Sequence, residues 1–185
     1  MFSRCKSLKN IDLSKLNTQN ILNISNIFSG CKLLTKVDFS NFNTEKVKHM
    51  RGIFHNCDSL KYINLSDFNT KNVIDMSYFF DGCKSLEKID LSNFDTQNVI
   101  DMSYMFYDCC SLVNLDLSNF NTLNAIYMSR MFSWCDKLEN LNLSNFNTLY
   151  LNNVDMSDMF YWCTSLKKEK VITNDRNILN KLKYK

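Results

Sequence analysis

Seven of the eight cysteines form a ladder. Cys5, Cys31, Cys57, Cys83, Cys109 and Cys135 follow one another at intervals of 26 residues, and Cys163 comes 28 after the last. Thiols at fixed spacing can ligate a metal, form disulfides or fill space. A zinc site needs ligands in C-x-x-C-like proximity, and only His49 and His55 could add to the set, so no metal site is expected. Units stacked at about 4.8 Å would bring ladder thiols within disulfide range. In a regular stack, however, the side chains point the same way, and cysteine is readily buried as a small apolar residue. The ladder is therefore expected to hold buried free thiols. Cys110 lies outside it and is the thiol expected to react.

A second ladder carries oxygen. Asp12, Asp38, Asn64, Asp90, Asp116 and Asn142 recur with the same period, each followed two positions on by a serine, Ser14 to Ser144. Carboxylates about 5 Å apart raise one another's pKa or attract a cation. Asn64 and Asn142 dilute that repulsion, and the row is expected to be a solvated face whose side chains hydrogen-bond along the stack. No Gly-rich phosphate loop, H-E-x-x-H or G-x-S-x-G occurs. The sequence thus offers no catalytic residue, cofactor or metal, and a non-enzymatic role is expected.

Other residues repeat in step with the cysteines and define the elements that place them. Three residues after each ladder cysteine stands Leu8, Leu34, Leu60, Leu86, Leu112, Leu138 or Leu166. Six after comes Ile11, Val37, Ile63, Ile89, Leu115 or Leu141, and eight after comes Leu13, Phe39, Leu65, Leu91, Leu117 or Leu143. The alternation predicts one short strand per unit with one face inward. Asn or Asp at 17, 43, 69, 95, 121 and 147, each followed by Thr, reads as local turn chemistry. Val99, Met102, Met105, Phe106 and Cys109 are spaced by three and four, which predicts a short helix, and Asn23, Asp75, Asp101 and Asp155 are placed to cap such helices.

A unit of this kind buries its apolar faces only against copies of itself. The expected fold is an α/β repeat solenoid, a right-handed coil with one short parallel strand and one short helix per repeat. Residues 1–166 form the array of about six units, the first truncated. Residues 167–185 form a basic cap or tail in which Ile178, Leu179 and Leu182 share a helix face, and Glu169 stands where an apolar residue is due. The absence of proline and the presence of only three glycines argue against a sandwich of tight hairpins.

Bulk properties narrow the function. A chain that is 45% hydrophobic should fold, and no apolar run approaches the roughly 20 residues of a membrane span. The net charge of +3 is concentrated in residues 167–185, where seven basic residues face two acidic ones, leaving the body mildly acidic. That distribution does not suit nucleic acid. No signal peptide precedes the first unit, and a start within a repeat suggests a block cut from a longer array.

The unit F-x-G-C-x-S-L-x-x-I-D-L-S-N-F-N-T-x-N-V-x-D-M-S-x-M-F, followed from Phe80 to Phe106 with Asp95 in place of its second asparagine, resembles the BspA-like leucine-rich repeats of bacterial surface proteins and lipoproteins. The resemblance implies a surface-displayed or secreted protein used in adhesion or partner binding. With it, the expected role is a non-catalytic, monomeric module that presents a solenoid surface to a protein or glycan; the alternative is a structural spacer. A partner site should vary between units whereas a spacer should not. On the exposed strand face the row Asn10, Lys36, Tyr62, Lys88, Asn114 and Asn140 varies and the serine row does not. The candidate partner-binding residues are therefore Lys36, Asp38, Tyr62, Lys88, Asp90 and Asn114, with Tyr62 between two lysines as the anchor. Trp134 and Trp162, just before their cysteines, read as a packing cluster at the end of the unit.

Overall fold

The structure, a computed structural model, describes residues 1–149, 151 and 153–182. Lys183 and Lys185 of the basic segment lie outside the described residues. Coils are numbered here from their ladder cysteines: coil 1 is 5–30, coil 2 is 31–56, coil 3 is 57–82, coil 4 is 83–108, coil 5 is 109–134 and coil 6 is 135–162. Strands form at four of the six positions where the alternation predicts them, as β1 (Asn10–Asp12), β2 (Lys36–Asp38), β3 (Asn114–Asp116) and β4 (Asn140–Asn142), with β5 (Val171–Ile172) after the last coil. They pair in parallel with matching repeat positions opposed, Ile11 against Val37 and Leu115 against Leu141. They do not make one sheet. β1 and β2 form one, β3, β4 and β5 another, and coils 3 and 4 carry no assigned strand between them.

The core is a set of aligned columns. Phe28, Phe54, Phe80, Phe106, Phe132 and Phe160 stack with centroids 5.6 to 5.9 Å apart. Each is essentially inaccessible to water. Burial of one such ring stabilises by roughly 1.5–3 kcal/mol. The column runs along the stacking direction, so the core grows by equal steps with each coil.

The helix expected in each repeat does not form. Among the described residues the helical elements are a 3₁₀ turn at Lys168–Lys170 and α1 (Arg176–Lys181), both beyond the coils. The three-four spacing reflects successive tight turns. In coil 3, Asp81 N–H bonds to Tyr78 O and Cys83 N–H to Phe80 O, while the alternate N–H groups of Met76, Tyr78, Phe80 and Gly82 cross to carbonyls of coil 4. An α-helix would turn all of these bonds inward and leave each coil unbonded to the next. The turns need left-handed residues every fourth position, and Asn26, Gly52, Tyr78, Tyr104, Arg130 and Asp158 supply one row of them. The Asx residues expected as helix caps instead sit in a column of parallel bridges, Asn23 to His49 to Asp75 to Asp101. Asn23, Asp75, Asp101 and Asp155 each accept the N–H two residues on.

The buried threonines also act across coils and not locally. Thr96 Oγ1 accepts Asn121 N–H at 2.8 Å and donates to Asn121 O at 3.0 Å, so one hydroxyl satisfies both backbone groups of a residue in the next coil. Thr44, Thr70 and Thr122 do the same. At the last coil the pattern ends differently. Thr148 N–H bonds to the carboxylate of Asp175, which also accepts Asn177 and Ile178 N–H as the N-cap of α1. The 3₁₀ turn shifts the register so that Val171, and not Glu169, stands opposite Leu141.

Thr96→Val keeps the shape of the side chain but strands the N–H and C=O of Asn121. Chemical denaturation should show a loss of about 1–3 kcal/mol for each unsatisfied group, while Thr96→Ser, which keeps the hydroxyl, should lose less.

Candidate functional site

Every ladder thiol from Cys31 onward donates to a phenylalanine carbonyl of the layer beneath it, 29 residues earlier, or 31 for Cys163. Cys57 reaches Phe28 O at 3.3 Å, Cys83 reaches Phe54 O at 3.2 Å and Cys135 reaches Phe106 O at 3.0 Å. Those same carbonyls accept the turn N–H of the ladder cysteine three residues on, so the thiol takes the second lone pair. Cys5, Cys31, Cys57, Cys83, Cys109, Cys110 and Cys135 are free thiols. Burial pushes the thiols of Cys31, Cys57, Cys83, Cys109 and Cys135 above the ordinary range, with neighbouring thiols or acids adding to the effect. They are donors, not nucleophiles. Cys110 is half-buried, and burial with Asp108 and Asp136 nearby raises its pKa as well. Cys5 is the exposed thiol among the described residues, a position the sequence reading had assigned to the buried ladder.

The Asx ladder is bonded chiefly within each coil, and along the stack Asp116 also bonds Asn142. Asp12, Asp38, Asn64, Asp90, Asp116 and Asn142 each accept the N–H of the serine two residues on. The serine hydroxyl and N–H hold the carboxyls of Asp12, Asp38 and Asp116 below the usual range, and the Ser92 N–H and hydroxyl do so for Asp90. Mutual repulsion is therefore the smaller effect. No cluster of three acid, histidine or cysteine ligands occurs among the described residues.

The strand face opens where the two sheets separate. A groove of about 640 Å³ lies between coils 2 and 3, lined by Thr35, Lys36, Val37, Ser59, Tyr62 and Ile63 among others. Tyr62 is 48% exposed there, and Lys88 Nζ sits 5.6 Å from its ring centroid. A cation at that distance from an exposed ring contributes about 0.5–1 kcal/mol. Lys36 lines the groove beside Tyr62, and Asp38 lines a smaller cavity next to it. Asp90 is exposed one coil further on, engaged with Ser92. Asn114 lies in β3, its Oδ1 taken by Asn140 at 2.7 Å. The structure thus gathers Lys36, Asp38, Tyr62 and Lys88 and leaves Asp90 and Asn114 apart.

The opposite, turn face holds a column of cations and tyrosines that the sequence reading left unused, together with the tryptophan pair that it took for packing. Arg51 lies 4.2 Å over Tyr78, Tyr78 stacks on Tyr104 at 4.6 Å, and Arg130 lies 5.9 Å over Tyr104 while bonding Asp158. Trp134 and Trp162 stack at 5.0 Å and are 40% and 47% exposed. All four of these aromatics have positive φ, at positions where other coils place Gly, Asn, Asp or Arg. That conformation costs roughly 1–2 kcal/mol per residue. Stacking and cation–π contacts return about 0.5–1.5 kcal/mol each, so the columns largely offset their own strain. The signal was present in the sequence as bulky residues in a glycine column.

The same face aligns Ser29, His55 and Asp81. Ser29 Oγ is 3.3 Å from His55 Nδ1, and Asp81 Oδ2 is 3.3 Å from His55 Nε2. The arrangement does not support a charge-stabilised base. Burial and Asp108 push the Asp81 carboxyl up to about 7, and burial with Arg51 lowers the pKa of His55. Both groups shift toward their neutral forms, and Asn56 Nδ2 crowds the same nitrogen at 2.9 Å. A serine hydrolase needs an ionised carboxylate behind its imidazole.

These features define the chain as a leucine-rich-type repeat solenoid with an open strand face. A leucine-rich repeat protein of T. pallidum has the similar fold, with a TM-score of 0.59 and 22% identity, covering 100% of this chain and 74% of that one. The family described as "Mycoplasma protein of unknown function, DUF285" matches residues 1–89 and 49–175, and the chain belongs to it. No curated protein matches the chain in sequence. Among the described residues no helix is long and apolar enough to cross a membrane.

Two outcomes follow for the thiols. Native-state labelling should be fast at Cys5, slower at Cys110 and slowest at Cys83 and Cys109. A thiol whose folded pKa is raised keeps its stabilising contribution below the unfolded value, near pH 8.5–9, and loses it as pH rises further. Melting temperature should therefore fall steeply above about pH 9, and substituting Cys83 by Val should flatten that fall while lowering stability at pH 7.

Proposed function

We propose that the chain is a non-catalytic binding module that takes a protein or glycan partner on its strand face. The open groove between coils 2 and 3, with Tyr62 exposed in it, carries the reading. An exposed aromatic beside cations is the composition of a binding anchor, and the repeat scaffold holds it with little conformational freedom to lose. Lys36 and Lys88 favour an acidic or hydroxyl-rich ligand, with Asp38 available to accept hydrogen bonds. Surface display and a BspA-like role in adhesion belong to this proposal through the likeness of the repeats, as does action as a monomer.

Protein and glycan arrays probed with the chain should give a ligand whose affinity falls at least tenfold in Tyr62→Ala and little in Trp162→Ala, both variants being checked for an unchanged fold. Loss in Trp162→Ala with binding retained in Tyr62→Ala would move the site to the turn face.

A further inference from the structure

The corner ten residues after the ladder cysteine repeats one arrangement in coils 4, 5 and 6. In coil 4, Asn93 turns its side-chain amide back onto coil 3 and donates to the carbonyls of Leu65 at 3.0 Å, Ser66 at 3.1 Å and Phe68 at 3.0 Å. Asn119 does likewise to Leu91 at 2.9 Å and Phe94 at 2.8 Å, and Asn145 reaches Ser118. One NH₂ group shared by three carbonyls marks a focus of negative potential that the fold fills with partial positive charge.

In coil 3 the corresponding residue is Asp67. A carboxylate has no N–H to give, so the cradle of coil 2 receives none. Phe39 O accepts the turn N–H of Phe42 at 2.8 Å, and no donor from coil 3 reaches Phe39, Ser40 or Phe42 O among the described residues. The strand bond is missing here too. Leu13 N–H reaches Asp38 O at 2.9 Å and Leu117 N–H reaches Asn142 O at 2.9 Å, but nothing links Phe39 to Asn64. Among the described junctions between coils, this one lacks both bonds. A cavity of about 190 Å³ opens at the place, lined by Asp67, Phe39, Ser40, Asp38, Asn64 and Lys36 among others.

We propose that this cradle binds a divalent, oxygen-seeking cation of the Ca²⁺ class, held by the Asp67 carboxylate and the coil 2 carbonyls, with water completing its shell. Carboxylate, backbone carbonyls and water are the ligands Ca²⁺ takes, and one carboxylate implies a weak, roughly millimolar site. The cation does for coils 2 and 3 what the asparagine amide does at the later junctions. Lys36, on the same cavity, is the internal competitor, and Asp38 is already engaged by Ser40. The inference is independent of any partner at Tyr62.

The test is thermal melting in EDTA against saturating CaCl₂, with MgCl₂ and KCl as comparisons. CaCl₂ should raise the wild-type Tm on the order of 5 °C. Asp67→Asn, which supplies the missing amide, should melt higher than wild type in EDTA and no longer respond to CaCl₂. The reverse change, Asn93→Asp, should melt lower in EDTA and recover in CaCl₂. A wild-type Tm indifferent to CaCl₂, an equal response in Asp67→Asn, or an Asn93→Asp variant that CaCl₂ does not restore would each overturn the proposal.

Discussion

A coil of about 26 residues has no interior of its own, and most of its polar backbone points along the stacking direction. Its neighbour must therefore supply both the apolar contact and the hydrogen bonds. The hydroxyl of Thr96 closing both backbone groups of Asn121, and the thiol of Cys83 taking the free lone pair of Phe54, are two solutions to this one constraint. A buried backbone group left unpaired costs about 1–3 kcal/mol, comparable to what a core phenylalanine contributes. That near-equality explains why polar and apolar positions repeat with the same strictness. It also explains the end of the array, where Asp175 replaces a further coil by bonding Thr148 N–H and capping α1.

The repeat, the strands and the inward columns were legible because each rests on periodic side-chain type. The returning segment was not. A spacing of three and four fits an α-helix, and it fits equally a run of tight turns with a left-handed residue at every fourth position. Asn26, Gly52, Asn56 and Gly82 carried that second pattern, but Tyr78, Tyr104, Trp134 and Trp162 in the same columns concealed it. The threonines misled in a different way. The Asn or Asp of each Asn-Thr pair bonds locally as expected, accepting the N–H two residues on, whereas stacking offers the threonine hydroxyl a better-placed partner in the next coil. The shift of Val171 into the place of Glu169 depends on a 3₁₀ turn whose two extra residues no periodicity announces.

At the candidate site, alternation placed Tyr62 and its lysines on the strand face, and the structure sets Lys88 against the ring. What the sequence did not disclose is that the strand face is interrupted there. Loss of two cross-coil bonds between coils 2 and 3 leaves a groove, and Asp67, standing where coils 4, 5 and 6 carry a bonding asparagine, is part of its cause. The row of aspartates drew attention as an electrostatic liability. Bonds from Ser14, Ser40, Ser92 and Ser118 dissolve that liability one coil at a time.

The uneven bonding between coils has a mechanical side. A tether pulled along the stacking direction loads every junction in series, and a series fails at its weakest member. On the turn side all junctions are matched, since alternate N–H groups cross between coils 2 and 3 as they do elsewhere. On the strand side this junction is held by the Ser59 N–H bond to Lys32 O and, beyond the missing strand bond, by the Thr44 rung to Asn69. Under load it would hinge about the turn face and widen toward the groove, so that tension on the chain and access to Tyr62 become a single coordinate.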